Sequence, residues 1–121
     1  MQLSLHKDAI QYFSNVVRLR PRNASGWEAL IRCLYQAEFF EEALEQVNAA
    51  LQFTQGKPLF LFYKSTILFR LQNSKEAIVQ LEKAMEKSPK LLKRFIEMNP
   101  SILQNQQVVD VLARFKRRRS I

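Results

Sequence analysis

The same ordering of residues returns when the chain is slid along itself by 34 positions, with no gap: Trp27 falls on Leu61, Leu34 on Leu68, Ala43 on Ala77, Val47 on Leu81 and Ala50 on Ala84. The register continues in both directions. Ala9, Phe13 and Val16 precede Ala43, Val47 and Ala50 at the same offset, and Phe95 and Phe115 follow Leu61 and Leu81. Apolar residues coincide by chance at many offsets. Coincident alanines are more demanding, because a small side chain marks where two helices approach closely. The best-preserved copy runs from Lys75 through Ala84 to Pro89. Repetition at this period restricts the architecture to stacked units, each burying its apolar face against its neighbours.

Each unit reads as helical. In the first segment, about Ser4 to Arg20, Leu5, Ala9, Phe13, Val16 and Val17 lie three and four residues apart, which puts them on one helix face. Ser4 or Asp8 suits its first turn, Arg18 and Arg20 suit its last, and Pro21 stops it. The second helix is predicted from about Ala24 to Ala37 with Asn23 as its cap, and the third from Phe40 to Phe53 with Ala43, Val47 and Ala50 inward. Gly56 suits a left-handed helix end, and Pro58 opens the fourth helix, about Pro58 to Leu71. Ser74 is expected to cap the fifth, Lys75 to Lys87. A short helix around Leu91 to Ile96, a break at Asn99-Pro100 and a last helix from Asn105 to Arg118 complete the chain. Two glycines and four prolines are too few for the turns of a β-sandwich, and no strand alternation persists, so an all-α chain is expected.

At 121 residues there is room for one core or for three to four short repeats. The opening residues carry no secretory signal. The apolar run Leu59 to Tyr63 is far short of the roughly 20 residues that span a bilayer. A piece without membrane insertion is expected, with the cytoplasm the favoured compartment.

The repeated residues resemble the tetratricopeptide repeat family, whose pattern runs Trp-x2-Leu-Gly-x2-Tyr, then Ala-x3-Phe, then Ala and Pro. The first full copy has Trp27-x2-Leu30-Ile31-x2-Leu34, then Ala43-x3-Val47 and Ala50. The second has Leu61-x2-Lys64-Ser65-x2-Leu68, Ala77-x3-Leu81, Ala84 and Pro89, and Ala9-x3-Phe13 with Pro21 forms a leading half copy. Ile31 and Ser65 stand in the glycine slot, and Gln55 stands where the first copy should carry its proline. The resemblance implies a right-handed superhelical stack of antiparallel helical hairpins, an α-solenoid. Its parts would be a half repeat at 1–22, repeats at 23–56 and 57–90, and a degenerate capping hairpin with a basic tail at 91–121. Pro100 falls where the preceding copy has Thr66 in mid-helix, so the last hairpin must be shortened or kinked there. The chain opens on what would be the second helix of a hairpin. It is therefore expected to be the C-terminal portion of a longer array, or to cover that helix as a homodimer.

Family members line a concave groove with the first helix of each hairpin. Carried over, the groove residues are Glu28, Arg32, Tyr35 and Gln36 from one copy and Phe62, Thr66, Phe69 and Arg70 from the next. Aromatic and arginine side chains suit a protein or peptide partner, because they supply contact area and charge-assisted hydrogen bonds. Against this stands simple packing of Tyr35, Phe62 and Phe69. The family's clamp for a terminal carboxylate is not reproduced, since Glu28 occupies a lysine slot and Tyr63 an asparagine slot.

The alternative is a nucleic-acid-associated module acting through Lys116, Arg117, Arg118 and Arg119. The net charge of +8 falls to +3 once these and Arg114 are set aside. Chain-end cations also stabilise a helix terminus, and no RNA-stacking or helix-turn-helix pattern accompanies them. An enzyme is not expected: His6 is the one histidine, the glycines Gly26 and Gly56 form no phosphate loop, and Glu41, Glu42 and Glu76 read as a solvated face. Neither metal site nor cofactor is expected. Cys33, the one cysteine, reads as a small buried side chain, and Asn23-Ala24-Ser25 as a helix cap rather than a glycosylation acceptor.

Overall fold

A computed structural model describes residues 2–120, with side chains from 6 to 118. The expected roles of Ser4, Leu5 and the Arg119 side chain lie outside the described side chains. The chain is all-helical, and among the described residues there is no strand. The helices are α1 (Gln2–Leu19), α2 (Ala24–Gln36), α3 (Phe40–Phe53), α4 (Pro58–Arg70), α5 (Ser74–Lys87), α6 (Leu92–Met98) and α7 (Gln106–Ser120). Short 3-10 turns at Pro89–Leu91 and Pro100–Gln104 flank α6. Each begins on a proline, whose missing amide costs nothing in a first turn. The chain divides into two compact units, residues 1–60 and 61–121.

The 34-residue period is written into the backbone. Helices α2 and α4 each have 13 residues, α3 and α5 each have 14, and both pairs start 34 positions apart. Three helices end alike. The amides of Phe39, Gly56 and Asn73 donate to the carbonyls of Leu34, Leu51 and Leu68 at 2.9, 2.8 and 2.9 Å. The residues just before those amides, Glu38, Gln55 and Gln72, have φ of 63°, 57° and 65°. This is the closure in which a left-handed residue satisfies the last free carbonyls, normally with glycine. Left-handed geometry costs a side chain about 1–2 kcal/mol, part of which glycine gives back in backbone entropy. Gln72→Gly is therefore expected to stabilise the protein by about 0.5–1 kcal/mol, read as a rise of ~2–8 °C in thermal unfolding followed by circular dichroism.

In the first unit α2 packs against both α1 and α3. A Cβ built on Gly26 would lie 2.9 Å from Val16 Cγ1, so the absent side chain lets α1 and α2 close. Asn23 caps α2, its Oδ1 accepting from the Ser25 amide at 2.9 Å. Trp27 is buried, donates from Nε1 to the Pro21 carbonyl at 2.6 Å, and stacks on Phe53 at 5.9 Å. One side chain thus ties the α1–α2 turn to the end of α3.

In the second unit α5 packs against α7 and the first 3-10 turn. Asn73, not Ser74, caps α5: its Oδ1 accepts from the Glu76 amide, and Ser74 is already the first helical residue. Ser65, in the slot where Ile31 stands one period earlier, is buried and donates from its hydroxyl to the Ala77 carbonyl at 2.8 Å. The alanines of the repeat, Ala43, Ala50, Ala77 and Ala84, have no exposed surface. No described helix is long and apolar enough to cross a membrane.

Candidate functional site

Helix α2 brings Glu28, Arg32, Tyr35 and Gln36 to one face by their spacing of four, seven and eight residues. Glu28 and Arg32 form an ion pair at 3.9 Å, with the arginine half in solvent. An exposed i,i+4 pair of this kind contributes at most about 1 kcal/mol. Tyr35 is half-buried, its ring edge-on to Phe40 at 5.3 Å, and Gln36 is exposed. This face offers one cation, one amide and the rim of one aromatic ring.

The corresponding residues of α4 are divided. Arg70 is exposed and Phe69 half-buried, but Phe62 and Thr66 are 0% exposed. The Phe62 ring lies 5.8 Å from that of Phe95, and the Thr66 hydroxyl donates to the Phe62 carbonyl one turn back. Expected to line a groove, these two belong to the core and present nothing to a partner. The reason lies in α4 itself, which is buried on all sides from Leu59 to Tyr63 and again from Ser65 to Leu68. Such a helix has no wet face until its last turn.

At the other end of the chain Lys116, Arg117 and Arg118 are exposed on α7. The Arg118 guanidinium sits 5.3 Å over the Phe115 ring, and Arg114 reaches Glu82 of α5 at 3.6 Å. The inner side of α7 is held by Val108 and Val111, both buried.

No protein-family model and no curated protein matches the chain.

Among the described residues no three His, Cys, Asp or Glu side chains gather to hold a metal ion. Cys33 is half-buried rather than buried, and burial raises its thiol pKa, with the Arg32 charge opposing. The raised value keeps it a thiol at neutral pH, the less nucleophilic form. A shallow pocket lined by Arg22, Gln52, Phe53, Thr54 and Gln55 lies at the end of α3. Its Thr54 hydroxyl is committed to the Ala50 carbonyl at 2.6 Å, so the pocket offers amides and one cation but no activated nucleophile.

Proposed function

We propose that the chain is a tetratricopeptide-like helical-repeat module, a right-handed stack of antiparallel hairpins that binds a protein partner and catalyses nothing. The observation that carries this reading is the recurrence, 34 residues apart, of helices of equal length with the same buried alanines and, for α2 and α4, the same left-handed closure. Repetition of a structural unit with differing exposed residues is how such arrays vary their partners without altering their cores. The carboxylates agree with a binding role. Glu41 and Glu42 are exposed in the first turn of α3, where they favour the helix dipole, and Glu76 accepts from the Gln80 amide at 3.0 Å.

The recognition residues are those that each unit leaves outside on its own: Arg32 and Gln36 on α2 of the first, with Glu28 and Tyr35 partly exposed, and Arg70 on α4 of the second, with Phe69 partly exposed. The test is retention of proteins on the immobilised chain, by quantitative mass spectrometry, against the variant Arg32→Ala/Gln36→Ala/Arg70→Ala. Because all three residues are exposed, each change should move stability by no more than about 0.5 kcal/mol. At least one discrete species should fall by about tenfold or more, the loss of one or two well-made contacts. Equal retention by a variant of unchanged helicity would refute the assignment.

A further inference from the structure

The two units differ completely in charge. Residues 1–60 hold six Lys and Arg against six Asp and Glu, whereas residues 61–121 hold thirteen against five. The first unit is formally neutral, and the entire +8 lies on the second. The excess is not confined to the chain end: α5 exposes Lys75, Lys83 and Lys87, and α7 exposes Arg114, Lys116, Arg117 and Arg118. The Arg114–Glu82 contact sets the C-terminal half of α7 beside the half of α5 that carries Lys83 and Lys87. From Val111 to the last residue there is no Asp or Glu at all.

We infer that this α5–α7 surface docks an acidic segment of a protein partner, one whose carboxylates are interspersed with aliphatic residues. The inference rests on the protein-binding reading above and adds a second surface and a partner chemistry to it. Charge complementarity selects an anionic partner, steering its approach and suppressing cationic competitors. Two observations select a peptide over a nucleic acid. Glu82, Glu86 and Asp110 stand among the cations of the same two helices. A phosphate backbone of uniform charge meets repulsion at each, while a peptide can place its carboxylates between them. The other observation is the apolar surface. Val79 on α5 lies one turn from both Lys75 and Lys83, Val109 lies on the exposed side of α7, and both are more than a third exposed. Among the described residues of α5 and α7 no aromatic ring is exposed for a base to stack on: α5 carries none, and Phe115 is half-buried with the Arg118 guanidinium over its ring. Aliphatic contacts beside cations fit Leu, Ile or Val side chains next to Glu or Asp.

Fluorescence anisotropy with the full chain tests this at 150 mM NaCl, where the Debye length is about 8 Å and only local charge counts. The probes are a labelled 20-residue peptide of Glu, Asp and Leu, a 20-nucleotide RNA and a 20-base-pair DNA duplex. The peptide should bind with micromolar affinity and more tightly than either nucleic acid. Lys116→Glu/Arg117→Glu and, separately, Lys83→Glu/Lys87→Glu should each weaken it by about tenfold or more. The milder Lys116→Ala/Arg117→Ala should act in the same direction if the reversed charges disturb α7. Arg20→Glu/Lys57→Glu, in the neutral unit, should stay within about twofold. Absence of peptide binding, or indifference to both α5 and α7 variants, would overturn the inference and leave the retention experiment to judge the wider reading. Tighter binding of RNA or duplex than of peptide would overturn both.

Discussion

Phe62→Ala is expected to remove about 3–5 kcal/mol of folding stability, the usual cost of deleting a fully buried aromatic ring. Phe62 has no exposed surface and packs on Phe95, so it joins α4 to α6 within the second unit. That unit has 61 residues, a size at which the core leaves a small margin, so the loss approaches the whole of its stability. Urea unfolding followed by circular dichroism should show a large fall in midpoint, and thermal unfolding a fall of at least ~12 °C. Phe95→Ala should behave likewise, and the double variant should cost less than the sum because the rings share one contact. A Phe62→Ala protein of unchanged stability that had lost a binding partner would return Phe62 to the recognition surface.

Trp27→Ala should have a comparable effect on the first unit, about 3–5 kcal/mol. The indole contributes buried area, the stack on Phe53 and the hydrogen bond to the Pro21 carbonyl. Trp27→Phe separates these contributions. It keeps a ring beside Phe53 but leaves the Pro21 carbonyl without its donor, a change of about 1–3 kcal/mol. As the chain's one tryptophan, Trp27 also reports its own burial: fluorescence emission of the wild type should be blue-shifted and move red in urea at the same concentration as the helix signal. Two separated transitions would mean that the packing around Trp27 in the first unit is lost independently of the helices of the second.

The helices were legible in the residues because α2, α3 and α5 are amphipathic and are bounded by caps and prolines. The Asn23 cap, the breaks at Pro89 and Pro100 and the inward alanines follow from spacing alone. Three things did not follow. Asn73 and Ser74 are adjacent and both competent caps, so only the backbone decides between them. At the end of α3 Gly56 is left-handed as expected, with φ of 76°, and Gln55 before it is left-handed too, whereas the left-handed ends at Glu38 and Gln72 carry no glycine and have the period itself as their common signal. In α4 the consecutive residues Leu59 to Tyr63 are apolar on every side, so no helical wheel distinguishes inside from outside. The family resemblance places Phe62 and Thr66 in a groove, whereas both side chains have no exposed surface. The charge asymmetry was present in the residues but had no meaning until the boundary between the two units was known.

The proposed architecture makes residues 57–90 one repeat of a stacked array, so that a second copy should dock on the first. Inserting a second copy of 57–90 directly after Lys90 tests it, with helicity and unfolding measured by circular dichroism. In a stacked array each repeat adds its own stability and one more interface. The lengthened chain should therefore keep its helicity per residue, unfold in one transition and melt no lower than the parent. A drop in helicity per residue together with a lower midpoint would show that the inserted hairpin has no place to dock, and would contradict the repeat architecture.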